Sequence, residues 1–320
     1  MEFPSELRLA TERLLAGQDI KAMTASAEGI SKRYRSESGT GKSLVSNGRD
    51  TLAYAAVRMP ATFGAVSRAL ELTMERCNAE ISSVLDVGAG TGAASHAAQL
   101  VTGCENITCI EREDSMISLG KQLMQARGIS AQWIKRDISL ADFDEKADLV
   151  LSSYCLNELS PPSREKAVQR LWNAAEKLLV IVEPGTPEGF GQLCAARKQL
   201  IAMGGFVAAP CPTNGECPLP ADDWCHFTAR IARTRLHKQL KGGEAPYEDE
   251  KFCFIAVSRT EAVGAARIIR HPKIESGRIT LRLCTAEGIC DKLVTRKNPL
   301  FKAARKSDSG DSFDEIPGDI

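Results

Sequence analysis

Seven residues carry the first chemical signal: Asp86-Val87-Gly88-Ala89-Gly90-Thr91-Gly92. Glycines at alternate positions allow a turn with positive φ and let backbone approach a ligand with no Cβ in the way. Such a run alone is a weak sign. Between a buried strand and a helix it reads as a nucleotide-type cradle, and here SSVLDVG precedes it and TGAASHAAQLV follows. The next apolar strand ends at Glu111, where a carboxylate can accept hydrogen bonds from both hydroxyls of a ribose. Nicotinamide dinucleotides and S-adenosylmethionine both satisfy this logic, and the spacing does not separate them.

The second signal is a group of thiols. Cys211, Cys217 and Cys225 are spaced C-x5-C-x7-C within PCPTNGECPLPADDWCHF. Thiolates bind soft or borderline metals, and a loop can wrap an ion or a cluster as a helix cannot. Pro210, Pro212, Pro218 and Pro220 reduce the entropy lost on closing the loop. A fourth ligand is required, and the candidates are His226, Cys253, Cys284 and Cys290. An adjacent Cys225-His226 pair is a strained chelate for one small ion. Spacing alone does not decide between zinc and an iron–sulfur cluster. Cys77, Cys104, Cys109, Cys155 and Cys194 lie in mostly apolar segments and read as small core residues. Cys155 follows a buried strand without an evident activating base, which argues against a nucleophile.

The elements that must position these groups follow from periodicity. Residues 1–80 read as helical, with Pro60 interrupting TLAYAAVRMPATFGAVSRALELTMER and KRYRSESGTGKSLVSNGRD forming an exposed loop. From Ile81, short apolar strands alternate with helices, which implies a parallel sheet with right-handed crossovers. This α/β domain is expected to span 81–260, with a Cys-rich insertion at 208–227. Within it WCHFTARIARTRLHKQLKGG reads as helix and EKFCFIAVSR as a late strand of the sheet. Residues 261–306 read as a small β-rich module, and 307–320 as an acidic tail that frays.

The chain has 320 residues, 43% hydrophobic and 26% charged, with a formal net charge of zero. That is a globular composition, and it excludes a polycation. No apolar run reaches the roughly 18 residues of a membrane span, so no membrane contact is expected. Charge is uneven: from Ala262 to Lys306 eleven Lys/Arg stand against three acidic residues, which suggests a local polyanion contact. In GRITLRLC, strand alternation places Arg278, Thr280 and Arg282 on one face, and the two arginines are the candidate phosphate contacts. The N-terminal helix carries Glu2, Glu6 and Glu12, unlike a transit peptide, and lacks a signal-peptide core. A bacterial cytoplasmic location and a monomer are therefore expected, with disulfides disfavoured there.

VLDVGAGTG, with an acidic residue two before the first glycine, resembles motif I of class I S-adenosylmethionine-dependent methyltransferases. The resemblance implies a Rossmann-like methyltransferase fold and S-adenosylmethionine as cofactor. Asp86 would then sit near the methionine amino group, Gly88, Gly90 and Gly92 would form the cradle, Glu111 would hold the ribose, and Asp137 in IKRD would lie beside the adenine. Base N-methyltransferases often carry an Asn/Asp-Pro-Pro-aromatic motif after strand four. SSYCLNELSPP, with Asn157 and Glu158, has no such tetrapeptide, and fold alone does not license an activity. No catalytic residue is assigned.

A narrower likeness covers about Tyr54 to Arg305. YAAVRMPATFGAV, VLDVGAGTGAAS, the Cys loop, YEDEKFCFIAVSR and LRLCTAEG together resemble the methyltransferase-like proteins of the mitochondrial small ribosomal subunit and their bacterial relatives. The Cys loop and the YEDEKF segment are not general methyltransferase features. This resemblance implies a 4Fe-4S cluster on Cys211, Cys217, Cys225 and Cys284, and contact with small-subunit rRNA during ribosome assembly. SDSGDSF departs from the Trp-Gly-Asp-like ending expected of the family. The leading expectation is an S-adenosylmethionine-binding, iron–sulfur factor of the small subunit. The alternatives are an active rRNA methyltransferase and, more weakly, a methyltransferase for small molecules or proteins.

Overall fold

The computed structural model describes residues 2–36, 39, 45, 47–140, 142–262 and 265–313. Four helices come first: α1 (Ser5–Leu15), α2 (Ile20–Ser36), α3 (Gly48–Val57) and α4 (Met59–Met74). Much of the loop expected between the first helices lies outside the described residues; α2 itself runs on to Ser36. Pro60 does not kink a continuous helix. The break falls at Arg58, and Pro60 sits in the first turn of α4, where its missing N–H has no intrahelical partner to lose. α4 is buried almost all round and shares the core cluster of the sheet. It is thus a layer of the α/β unit rather than part of a separate helical region.

The alternation expected from Ile81 is present: β1 (Val84–Val87), α5 (Ala93–Thr102), β2 (Ile107–Glu111), α6 (Asp114–Ala126), β3 (Ala131–Lys135), β4 (Ala147–Ser153), α7 (Pro161–Ala174), β5 (Ala175–Pro184) and α8 (Pro187–Ala202). β1 and β4 are near-continuous buried runs because helices cover both faces of a parallel sheet. Then follow β6 (Phe206–Ala209), β7 (Phe227–Ala232), α9 (Arg235–Lys241) and β8 (Tyr247–Ser258). The main path is β3-β2-β1-β4-β5-β8-β6, with β7 also paired to β8. β1 to β5 are parallel, and β8 runs antiparallel to β5, β6 and β7. This is the class I methyltransferase arrangement. Strand order reverses between β1 and β4, and ligands of open α/β sheets bind at such a switch point, beyond the carboxyl ends of the strands.

One stretch corrects the sequence reading. WCHFTARIARTRLHKQLKGG is not all helix: Phe227–Ala232 is a strand, and only Arg235–Lys241 is helical. Phe227, Ala229 and Ile231 are buried while the residues between them are not, the period of two that identifies a strand.

The C-terminal module is a separate antiparallel sheet of β9 (Arg267–Ile268), β10 (Lys273–Glu275), β11 (Arg278–Thr285) and β12 (Gly288–Thr295), with α10 (Phe301–Lys306) packed on it. Ile279, Leu281 and Leu283 of β11 point inward with Ile268, Val294 and Phe313. The tail expected to fray from 307 is therefore ordered further. Ser312 bridges Arg267, Asp311 pairs with Arg68 of α4, and Phe313 is buried. A buried aromatic at that point outweighs the acidic composition around it. Residues 314–320 lie outside the described residues. Among the described residues no helix is long and apolar enough to cross a membrane.

Candidate functional site

The glycine turn joins β1 to α5 at the switch point. Gly88, Gly90, Glu111 and Asp137 line one pocket with Tyr54, Arg112, Tyr154 and Cys155. Gly88 has φ +75°, and a Cβ there would stand 2.7 Å from Cys155 Sγ. Gly90 has φ +56°, and nothing lies within 4 Å of where its Cβ would be, so a side chain would project into open space. Gly92 does not line the pocket. Its hydrogen lets α5 begin against Met124 of α6.

Glu111 ends β2 and is 7% exposed. Its Oε2 accepts from Gly90 N at 2.8 Å, and its Oε1 from Arg112 N at 2.8 Å and Glu113 N at 2.9 Å. Burial raises its pKa, and the three backbone donors and Arg112 oppose that rise. The carboxylate thus shapes the turn and keeps lone-pair capacity on Oε2 for a ligand hydroxyl. Glu111→Ala is expected to weaken S-adenosylmethionine binding by about 1.5–3 kcal/mol, the range for hydrogen bonds to charged groups. Calorimetry reads this directly, and an unchanged affinity would remove Glu111 from the site. Asp137 Oδ1 accepts from Ser139 N and Oγ at 2.8 and 2.6 Å.

Asp86, expected near a methionine amino group, is not among the residues lining the pocket. It is fully buried, and its Oδ2 accepts from Ser95 N at 3.0 Å and Ser95 Oγ at 2.7 Å. Burial pushes its pKa up to about 6. Its place in this structure is beneath the turn, holding the first turn of α5.

Two pocket residues escaped the sequence reading, and a third, Cys155, was read as core alone. Arg112 stands within 3.3–3.7 Å of Glu113, Asp137 and Glu158, so the pocket holds a cation among carboxylates. Tyr154, at the end of β4, is the one non-glycine residue with positive φ (54°) among the described residues. Its hydroxyl donates to Glu250 Oε1 at 2.9 Å, and Glu250 pairs with Arg58 at 3.1 Å. Cys155 packs against the core, as its apolar segment suggested, and also lines the pocket. Burial holds its thiol protonated well above the usual range, so it is a poor nucleophile.

The cysteines gather on the far edge of the sheet. β6 and β7 lie in line on one side of β8, Ala209 opposite Ala256 and Phe227 opposite Phe252. The chain leaves the edge between them as the loop 210–226. Cys211, Cys217 and Cys225 of that loop line a single pocket with Cys284 of β11, Cys253 of β8 and Cys194 of α8. Asn214 Oδ1 accepts from Val207 N at 2.8 Å, and Trp224 Nε1 donates to Gly185 O at 3.1 Å, fixing the loop to the sheet. Cys253 Sγ is turned to Pro184 O at 3.2 Å. Cys194 was read as core from its apolar helix, yet it lines this pocket. His226 stacks on Trp224 at 5.4 Å, and neither His226 nor Cys290 lines the pocket. Among the described residues no three His, Cys, Asp or Glu side chains converge on one metal-ion position.

The two candidate phosphate contacts sit on the outer face of β11. Arg278 pairs with Glu275 at 2.7 Å, and Arg282 with Asp291 at 3.2 Å. Both therefore have acidic neighbours on their own sheet, which the count of basic residues did not reveal.

Several known proteins are similar to this chain. The human mitochondrial ribosome assembly protein METTL17 is 29% identical over 287 residues, which cover 82% of this chain and 62% of that protein. The chain thus spans less than two thirds of that relative. Magnesium protoporphyrin IX methyltransferase of Synechocystis PCC 6803, solved with bound S-adenosylmethionine, is similar over 72% of this chain and 90% of its own, at 15% identity and a TM-score of 0.43. N-methyltransferase NodS of Bradyrhizobium japonicum is similar over 60% of this chain and 84% of its own, at 13% identity and a TM-score of 0.39. A model of the family described as mitochondrial small ribosomal subunit Rsm22 matches residues 48–314, so the chain belongs to the Rsm22 family.

Proposed function

We propose that this chain is a small-ribosomal-subunit assembly factor that binds S-adenosylmethionine and rRNA and carries a thiolate-bound iron–sulfur cluster. The observation that carries the reading is the cysteine pocket. Loop thiols from the methyltransferase-like sheet and Cys284 from the basic module line one space, so a bound metal group would join the S-adenosylmethionine-binding unit to the surface that meets RNA. Family membership and the likeness to a mitochondrial ribosome assembly protein support the partner.

The residues present fit a cluster. Four thiols are available from Cys211, Cys217, Cys225 and Cys284, and apolar side chains such as Leu193, Phe254 and Ile255 shield the space. Zinc, which takes thiolates about 2.3 Å from one point, is the alternative occupant of the same thiols. A 4Fe-4S cluster, held by four thiolates around a larger body, would supply a rigid covalent tie between the loop and β11. Cys211, Cys217 and Cys225 would close the loop on it, and Cys284 would anchor the module. In the other pocket, Glu111 would hold ribose hydroxyls and Asp137 would lie at the adenine. Binding without methyl transfer is the favoured reading, because Cys155 is held protonated and the residues after β4 lack the base-methyltransferase tetrapeptide.

Crosslinking in cells followed by identification of the bound RNA tests the partner, and recovery of RNA other than small-subunit rRNA would overturn it. Affinity for that rRNA is expected to fall steeply with salt. Changing Arg278 and Arg282 to Gln should lower the slope of log K against log salt by about one unit per lost phosphate contact. Their pairs with Glu275 and Asp291 are exposed and therefore weak, so a phosphate can replace the carboxylate. A salt-independent affinity would remove the basic face from the interaction.

A further inference from the structure

Two arginines line the cysteine pocket, and among the described residues neither has a carboxylate at ion-pair distance; Glu216 lines the same pocket, and Glu75 acts on Arg267 only at longer range. Arg197 of α8 is 9% exposed; its Nη2 donates to Thr213 O at 2.7 Å, while its Nε is buried without a partner. Arg267 of β9 is 2% exposed, with Nε donating to Pro210 O at 3.2 Å and Nη1 to Gly310 O at 2.8 Å. Arg267 is also the direct cross-strand neighbour of Cys284.

A buried guanidinium without a counter-charge is costly. Clamping loop carbonyls explains the hydrogen bonds of these side chains but not their charge, since a neutral amide could donate to the same oxygens. The clamped carbonyls belong to Pro210 and Thr213, one and two residues from Cys211. The loop that carries the thiols therefore also fixes where the two positive charges stand. Four thiolates around a dipositive metal core leave a net charge of about −2, which two guanidinium groups would neutralise.

We propose that Arg197 and Arg267 are the built-in counter-charges of the thiolate-bound metal group, retaining it and raising its reduction potential. The proposal rests on the reading that this pocket holds such a group. Reduction adds an electron to an already anionic centre, so a nearby cation favours the reduced form. Neither arginine is a ligand.

The test uses the whole chain, purified anaerobically, as wild type and as Arg197→Gln, Arg197→Lys, Arg267→Gln and Arg267→Lys. Metal content, the rate of metal release to a chelator and the reduction potential from a titration followed by electron paramagnetic resonance are measured on each. Each Gln variant should release metal about tenfold faster. Its potential should shift negative by about 59 mV, the equivalent of a tenfold change for a one-electron couple. Each Lys variant should stay near wild type, because it keeps the charge while losing the forked clamp. Circular dichroism checks folding, and if Arg267→Gln fails to fold, Arg197→Gln decides. A loaded wild type whose Gln variants match it in release rate and potential would overturn this proposal alone. A wild type that purifies without metal would overturn the cluster reading, and the counter-charge role with it.

Discussion

Gly90→Val is expected to abolish S-adenosylmethionine binding measured by calorimetry. Two effects act together. Gly90 has φ +56°, which a β-branched residue adopts only under strain. Its missing Cβ faces empty space bordered by Glu111 and Asp137, so a valine would fill the volume that a ligand needs. Gly90→Ala separates the two, since it brings the strain with far less bulk, and it should retain measurable binding. Gly90 N also donates to Glu111 Oε2 at 2.8 Å, so a displaced turn would disturb the ribose acceptor. Unchanged affinity in the valine variant would sink the assignment of this pocket.

Cys284→Ser should cost the protein its metal. The anaerobic wild type is expected to be brown and to carry about four irons, as a four-iron cluster on four thiolates requires. The variant should lose iron and bind RNA more weakly, because β11 would no longer be tied to the loop. It should keep S-adenosylmethionine binding nearly intact, since the glycine turn stands at the β1–β4 switch point and Cys284 belongs to the second sheet. Changing His226 or Cys290 should do less, as neither lines the pocket. Cys253 should also matter less, because its thiol is turned to Pro184 O. Stoichiometric zinc without iron would overturn the cluster, and loss of metal on changing His226 but not Cys284 would overturn the ligand set.

Period and punctuation made much of the sheet legible before any coordinates. The runs that became β1, β4 and β5 are mostly apolar and bounded by turn residues, and Glu111 was identifiable because it ends the second apolar run of the sheet. The pocket around the cysteines was only half legible. Cys211, Cys217 and Cys225 announce themselves by spacing inside a Pro-rich loop. Cys194 does not, because one thiol on a helix of apolar neighbours has the same pattern as a core residue. Arg267 was hidden in a run of basic residues and Arg197 in an ordinary helix. What distinguishes both is burial without a carboxylate at ion-pair distance, a property of packing. Asp86 is a mixed case: its position in the motif suggested a ligand contact, and in the structure Ser95 takes its Oδ2 while its Oδ1 is buried without a partner. FTARIA was misread because the helical pattern of the following RLHKQLK was extended back across it.

The position of β8 has a consequence for the order in which the protein is made. It lies between β5 and the β6–β7 edge, although it follows all three in the chain. During synthesis the side of β5 away from β4 therefore waits with unsatisfied backbone donors and acceptors until residues 247–258 have emerged, and β6 and β7 wait with it. An open edge of that kind, flanked by apolar side chains, invites pairing with other chains. A nascent chain halted after β7 and before residue 247 would leave all three strands without their shared partner and so be prone to aggregate.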